Sequence, residues 1–425
     1  MVDHLVKNSA RVSMTSRGGQ QPIHVAASAG HTHVVQSLIS HRADMNASWA
    51  SGGTPIHLAA ANGNLPLLDY LQASRADLHA MDQFGGLPLH AAIRNGHVDI
   101  AEALLKHDVD PDAADDTGGR PIHEAIRGGH VKMATLLLSA RANLQLVDKQ
   151  GRGPAMWAAL AGHTQLLQWL TDVGKYLVEA SATVLTDSEL GAPAGSTRSK
   201  AMADYLAAAM VGQGGGFQVK PAECTALHMA AEEGHAAAVQ WLLQRGHADP
   251  RAAAVGSRAE PIHLAAKEGH DAVIELLLEA RANPIARARG NLQALHLAAL
   301  QGHLRVMDSL LARRAKASCS ASDGGQPMHL AAGQGHFSVV SRLLAARASV
   351  NVATRTGQQP LHRAAACAEG HLRVVDLLIV NRAEIFRKDR DGQSPADLAR
   401  ASGHRLLLEH FAKLGESMPV HGPEL

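Results

Sequence analysis

An all-α solenoid of stacked helix–loop–helix units is the fold this sequence predicts, and three observations predict it. The first is an internal period, with one short pattern returning at 33-residue steps along most of the chain. The second is length: 425 residues exceed the roughly 250–300 at which one compact core stops growing. The third is composition. Hydrophobic residues are 46% of the chain and aromatics only 3%, so the core must be built from Ala, Leu, Val and Ile. Such small side chains suit short, closely packed helices better than sheets, which favour aromatic and β-branched residues.

Each element of the unit follows from local chemistry. The phase position falls at Pro22, Pro55, Pro88, Pro121 and Pro154, then at Ala226, Pro261, Ala294, Pro327, Pro360 and Pro395. Glycine stands three residues earlier in eight of these eleven units, from Gly19 to Gly392, and marks a finger tip. Proline opens a first helix, where its missing N–H would have no partner anyway. An Ala-rich segment such as HAAIRNG (His90 to Gly96) then ends on a glycine suited to the left-handed residue that stops a helix. A second helix carries apolar residues at i, i+1, i+4 and i+5, as in Val34, Val35, Leu38 and Ile39, or Val306, Met307, Leu310 and Leu311. That spacing makes one buried stripe. A turn-rich run such as RADMNASWASGG (Arg42 to Gly53) closes the unit as a finger leading into the next. Helices of about seven to ten residues are marginal alone in water, so each pair must bury its stripe against the next.

The segments PIHVAASAGH, PLHAAIRNGH, PIHEAIRGGH, PIHLAAKEGH and PMHLAAGQGH, at this spacing, resemble the TPLHxAAxxGH pattern of ankyrin repeats. The resemblance covers almost the whole chain, with about 11 clear repeats plus one degenerate. It implies an ankyrin-repeat solenoid with β-hairpin-like fingers. Nineteen of the 27 histidines fall at two repeated places. Nine are of P-x-H type: His24, His57, His90, His123, His228, His263, His296, His329 and His362. Ten follow a glycine: His31, His97, His130, His163, His235, His270, His303, His336, His371 and His404. A catalytic or metal site is made once or twice, not copied at every step, so these side chains read as architecture. The resemblance implies that the first histidine ties a helix start to the neighbouring finger. HEAIRGGH (His123 to His130) is not a zinc site, because HExxH needs both histidines on one helical face. No cofactor and no metal is expected.

Three departures from the pattern stand out. Its Thr survives only as Thr54 and Thr225, with Ser394 a near equivalent. Losing such a cap costs about 0.5–2 kcal/mol, which predicts units less rigid than a consensus array. The glycine that usually ends the second helix is replaced by Arg42, Arg75, Arg141, Arg281, Arg314, Arg347 and Arg382. This row reads as a habit of helix ends, with an anion-binding edge as the alternative. In the last unit Asp397 takes the histidine's place, as suits a terminal repeat with one face in solvent.

The organisation expected is a partial repeat or N-terminal cap at 1–15, five repeats at 16–180, a degenerate repeat or insertion at 181–219, six repeats at 220–414, and a frayed tail at 415–425. The chain begins inside a unit, so either a half-repeat caps it or the sequence is a fragment of a longer protein. The glycine run GQGGG is not a phosphate loop, because no GK[ST] follows it.

Net charge is +1, which predicts no nucleic-acid affinity through phosphate neutralisation. Cys224, Cys319 and Cys367 are far apart, which fits a reducing compartment rather than a disulfide framework. Without a secretory signal or a membrane-length apolar run, the expectation is a soluble, monomeric cytoplasmic protein, with the nucleus as the other compartment. No nucleophile–base set, DHHC motif, RING-like cysteine set or kinase signature is present, so an enzyme is not expected. The resemblance implies a protein–protein interaction scaffold or adaptor. The alternative is the targeting arm of a larger ubiquitin ligase, kinase, channel or acyltransferase. It places partner binding on a concave face of finger tips and first helices, whose variable positions here are Trp49, Phe84, Arg94, Asn95, Arg127, Lys149 and Arg152 in the N-terminal half. In the C-terminal half they are Glu232, Glu233, Lys267, Glu268, Gln301, Gln334 and Arg355. The first group is basic with two aromatics, which points to other proteins as partners, and there to an acidic or extended peptide.

Overall fold

The computed structural model describes residues 2–173, 225–254, 256–367 and 371–417. The segment expected to be degenerate at 181–219, Cys224 and most of the tail at 415–425 lie outside them. Contacts divide the chain into two compact units, Met1–Ala222 and Glu223–Leu425.

In the N-terminal unit a helix Val2–Lys7 is followed by helix pairs Pro22–Ser28 with Thr32–Ser40, Pro55–Ala61 with Leu65–Ala73, Pro88–Arg94 with Val98–Leu105, and Pro121–Arg127 with Val131–Ser139. Pro154–Leu160 and helical residues 164–173 complete its described part. The C-terminal unit has six pairs: Ala226–Glu232 with Ala236–Gln244, Pro261–Glu268 with Asp271–Glu279, Ala294–Gln301 with Leu304–Ala312, Pro327–Gly333 with Phe337–Ala345, Pro360–Ala366 with Leu372–Val380, and Pro395–Ala401 with Arg405–Ser417.

Within each unit, first helices pack on first helices and second helices on second helices. Alanine makes the first contact close: Ala59, Ala60, Ala230, Ala231, Ala298 and Ala299 are all fully buried. The second helices supply the larger side chains. Leu67, Leu68 and Leu71, and again Val306, Met307 and Leu310, are 0% exposed. The i+5 residue of the expected stripe, such as Ile39 or Leu311, is only half-buried.

The fingers reverse like hairpins without forming strands; among the described residues no strand occurs. In one finger Asp82 N–H donates to Gly86 O at 2.9 Å and Gly85 N–H to Asp82 O at 3.0 Å. One backbone bond then links most of the described fingers to the next, as in Asp116 N–H to Phe84 O at 2.8 Å and Arg355 N–H to Asp323 O at 2.7 Å. A single bond per step is too few for a ladder.

Both helix ends use left-handed backbone. Gly63 ends a first helix at φ +69°, and a Cβ there would sit 2.6 Å from His97 Nδ1. The seven row arginines end second helices with φ between 61° and 72°. Left-handed backbone costs a non-glycine residue roughly 1–2 kcal/mol, so every one of these positions is mildly strained.

Truncating Leu68→Ala should cost about 2–5 kcal/mol. Hydrogen exchange should locate the loss in the neighbouring pairs, between residues 55 and 105. Equal deprotection of the helices between residues 261 and 380 would show that the stack is not a nearest-neighbour array.

Candidate protein-binding surface

The finger tips are positioned by imidazoles. All nine P-x-H histidines accept, at Nδ1, the backbone N–H of the residue before the first helix, at 3.0–3.4 Å. A backbone N–H can only donate, so Nδ1 carries no proton and Nε2 does. From Nε2, His24 donates to Ala47 O at 2.7 Å, His228 to Ala259 O at 3.0 Å and His329 to Gln358 O at 3.1 Å. Each bond fixes the finger that follows the helix, as the resemblance implied.

The second histidine reaches backward. His97 bonds Ala61 O at 3.0 Å, His163 bonds Arg127 O at 3.0 Å, and His270 bonds Glu232 O at 2.9 Å. Their partners are carbonyls at the end of the preceding first helix, which would otherwise lack an acceptor role.

Where Thr is retained, Thr54 and Thr225 also bond the imidazole through Oγ1, at 2.9 and 2.8 Å. Where it is lost, other side chains act in its place. Gln326 Nε2 donates to Ser318 O at 3.0 Å and Gln359 Nε2 to Asn351 O at 3.1 Å, each eight residues back. The Arg120 guanidinium bonds Asp112 O in the same way.

Of the candidate partner-binding residues, Phe84 is 61% exposed at a finger tip, beside Met81 at 65%. Its backbone is held on both sides, by Asp82 Oδ1 and by the next finger. Trp49 is half-buried. It turns inward over Gly53, and its ring lies 6.5 Å from that of His24. Arg94 and Arg127 share one carboxylate, Glu124, at 3.6 and 2.6 Å. Sequence alone counted two open cations there; the structure pairs both.

Arg152 is also committed, ion-paired to Asp148 at 2.7 Å and stacked 4.0 Å over Trp157. The Lys149 ammonium bonds Asp116 O on the neighbouring finger. Asn95 bonds back to Ala91 O at 2.9 Å. In the C-terminal unit Lys267 and Glu268 pair with each other at 2.7 Å. Glu233, Gln301, Gln334 and Arg355 are exposed and Glu232 half-buried. Sequence reading missed Met14, Val25 and Met81, which are 62%, 55% and 65% exposed. Their places carry apolar letters in several other repeats too, so the letters alone gave no signal of exposure.

Among the described residues no group of three or more His, Cys, Asp or Glu could hold a metal ion. None of the described helices is long and apolar enough to cross a membrane.

Burial keeps His57, His90, His123, His228, His263, His296, His329 and His362 below the usual imidazole value, His329 at about 4. Protonation would also turn an acceptor Nδ1 toward an N–H donor. Above pH 6.5 both folded and unfolded chains hold these rings neutral, and their contribution is complete. As pH falls from 6.5 toward about 4, the unfolded chain takes up protons that the folded chain refuses, and stability is lost. Burial of Glu260, which raises it to about 7, acts oppositely but is one group against eight. The urea unfolding midpoint should therefore fall steadily from pH 7 to pH 4.5, with uptake of more than one proton. A flat midpoint over that range would contradict the neutral-imidazole network.

Comparison with protein families agrees with this geometry. The family described as ankyrin repeats (3 copies) matches residues 56–148, 201–288, 295–389 and 328–417. That described as ankyrin repeats (many copies) matches residues 23–72. A search of curated proteins finds no match. With the matched segments spanning well over half its length, the chain belongs to the ankyrin-repeat family.

Proposed function

We propose that the chain is a protein–protein interaction scaffold or adaptor, taking its partner on the concave face of finger tips and first helices. Ankyrin repeats generally serve as protein–protein interaction modules, typically non-catalytic ones. The observation that carries the finer reading is the exposed pair Met81 and Phe84, on a finger whose backbone is bonded to both neighbours. An apolar anchor held on a rigid support loses little entropy on binding, which favours affinity. The cations nearby are largely paired to Glu124 and Asp148, so apolar contact rather than bulk positive charge governs this face.

A photo-reactive residue replacing Phe84 should form a discrete protein adduct in the source cell, and Met81→Ser should abolish it. The same probe at Lys132, exposed on a second helix, should not form that adduct. Because both finger residues are exposed, M81S should shift stability by no more than about 0.5 kcal/mol. Identical adducts from positions 84 and 132 would refute the reading.

A further inference from the structure

The finger beginning at Arg314 lacks two side-chain bonds that several other fingers make. Two residues after the left-handed position, six fingers carry Asp or Asn, whose Oδ1 accepts the N–H two residues further on. These are Asp44, Asp77, Asp110, Asn143, Asp249 and Asn283, at 2.8–3.2 Å. Lys316 holds that place here and can accept nothing. Two residues later, other fingers staple themselves to the next repeat. Asn351 bonds Arg382 O and Glu384 N–H, both at 3.0 Å, and Arg251 bonds Arg281 O at 2.8 Å. The Ser318 side chain makes neither bond.

Beside this finger a groove of about 480 Å³ opens between the turns at Arg314 and Arg347. Leu311, Ala312 and Ala346 line it together with Ser318 and the cationic Lys316, Arg342 and Arg347. Arg342 is neutralised by Asp308 at 2.5 Å. Among the described residues the side chains of Lys316, Arg314 and Arg347 have no ion pair or hydrogen bond, and all three are exposed. Arg314 and Arg347 moreover hold φ at 72° and 61°, where glycine would be less strained. Strained backbone carrying an unpaired charge beside a groove is the pattern expected of a binding site.

We propose that this groove, on the second-helix side of the C-terminal unit, binds an acidic peptide segment of a partner protein. One apolar side chain of that segment lies on Leu311, Ala312 and Ala346, and flanking carboxylates meet Lys316 and Arg347. The aliphatic side chains in the lining favour a peptide over a nucleic acid, which would call for aromatic stacking surfaces that the lining lacks. The site is independent of the finger face described above.

The natural repeats supply the test variants: K316D installs the residue of four other fingers, and R347G installs the one that left-handed backbone prefers. Both should fold at least as stably as the parent, which urea unfolding checks. The full chain probed on an array of random octapeptides should select acidic sequences centred on Leu, Ile or Phe. The best of these, labelled with fluorescein, should bind each variant at least about tenfold more weakly by anisotropy, while F84S leaves it unchanged. Selection of the same acidic peptides with equal affinity by parent and variants would overturn the proposal. So would an array without acidic selection, or variants that lose only binding to a single-stranded oligothymidylate.

Discussion

Most of the described helices have seven to nine residues and cannot hold themselves together in water, so within each unit a helix pair depends on the pairs packed against it. Apolar burial provides the attraction, through alanine between first helices and leucine, isoleucine and valine between second helices. Attraction of that kind has no direction. Direction comes from two sets of imidazoles, one bonding forward to the following finger and the other backward to the preceding first helix. Because the forward set is buried and accepts at Nδ1, its charge state and the register of the stack are linked.

The same arrangement explains which departures from the repeat pattern are tolerated. The backbone N–H of the residue before the helix supplies the essential bond to the histidine, so Thr can be replaced by Gln, Leu, Arg or Glu without losing it. In three repeats a longer side chain adds a new bond eight residues back. The arginines at second-helix ends are another matter. They retain the left-handed backbone that glycine would adopt more easily, and two of them, Arg314 and Arg347, lie at the turns beside the groove of the C-terminal unit.

Much of this was legible in the letters. The 33-residue step located both helices of every described unit, the glycines at positive φ, and the histidines that bind fingers. Those features are local: a proline, a glycine or an i, i+4 stripe acts within a few residues of itself. The surface was less legible. Trp49 and Phe84 both sit on fingers, yet one turns in over a glycine and the other points out.

Periodicity and residue type were therefore enough to establish helix pairs, their order and their family, because each unit repeats the same short-range chemistry. Which cations remain open needed the folded chain. Arg94, Arg127 and Glu124 meet across adjacent repeats, whereas among the described residues Lys316 and Arg347 meet no carboxylate. Charge pairing between residues some 30 positions apart depends on side-chain placement in three dimensions, and a repeating pattern averages that placement away.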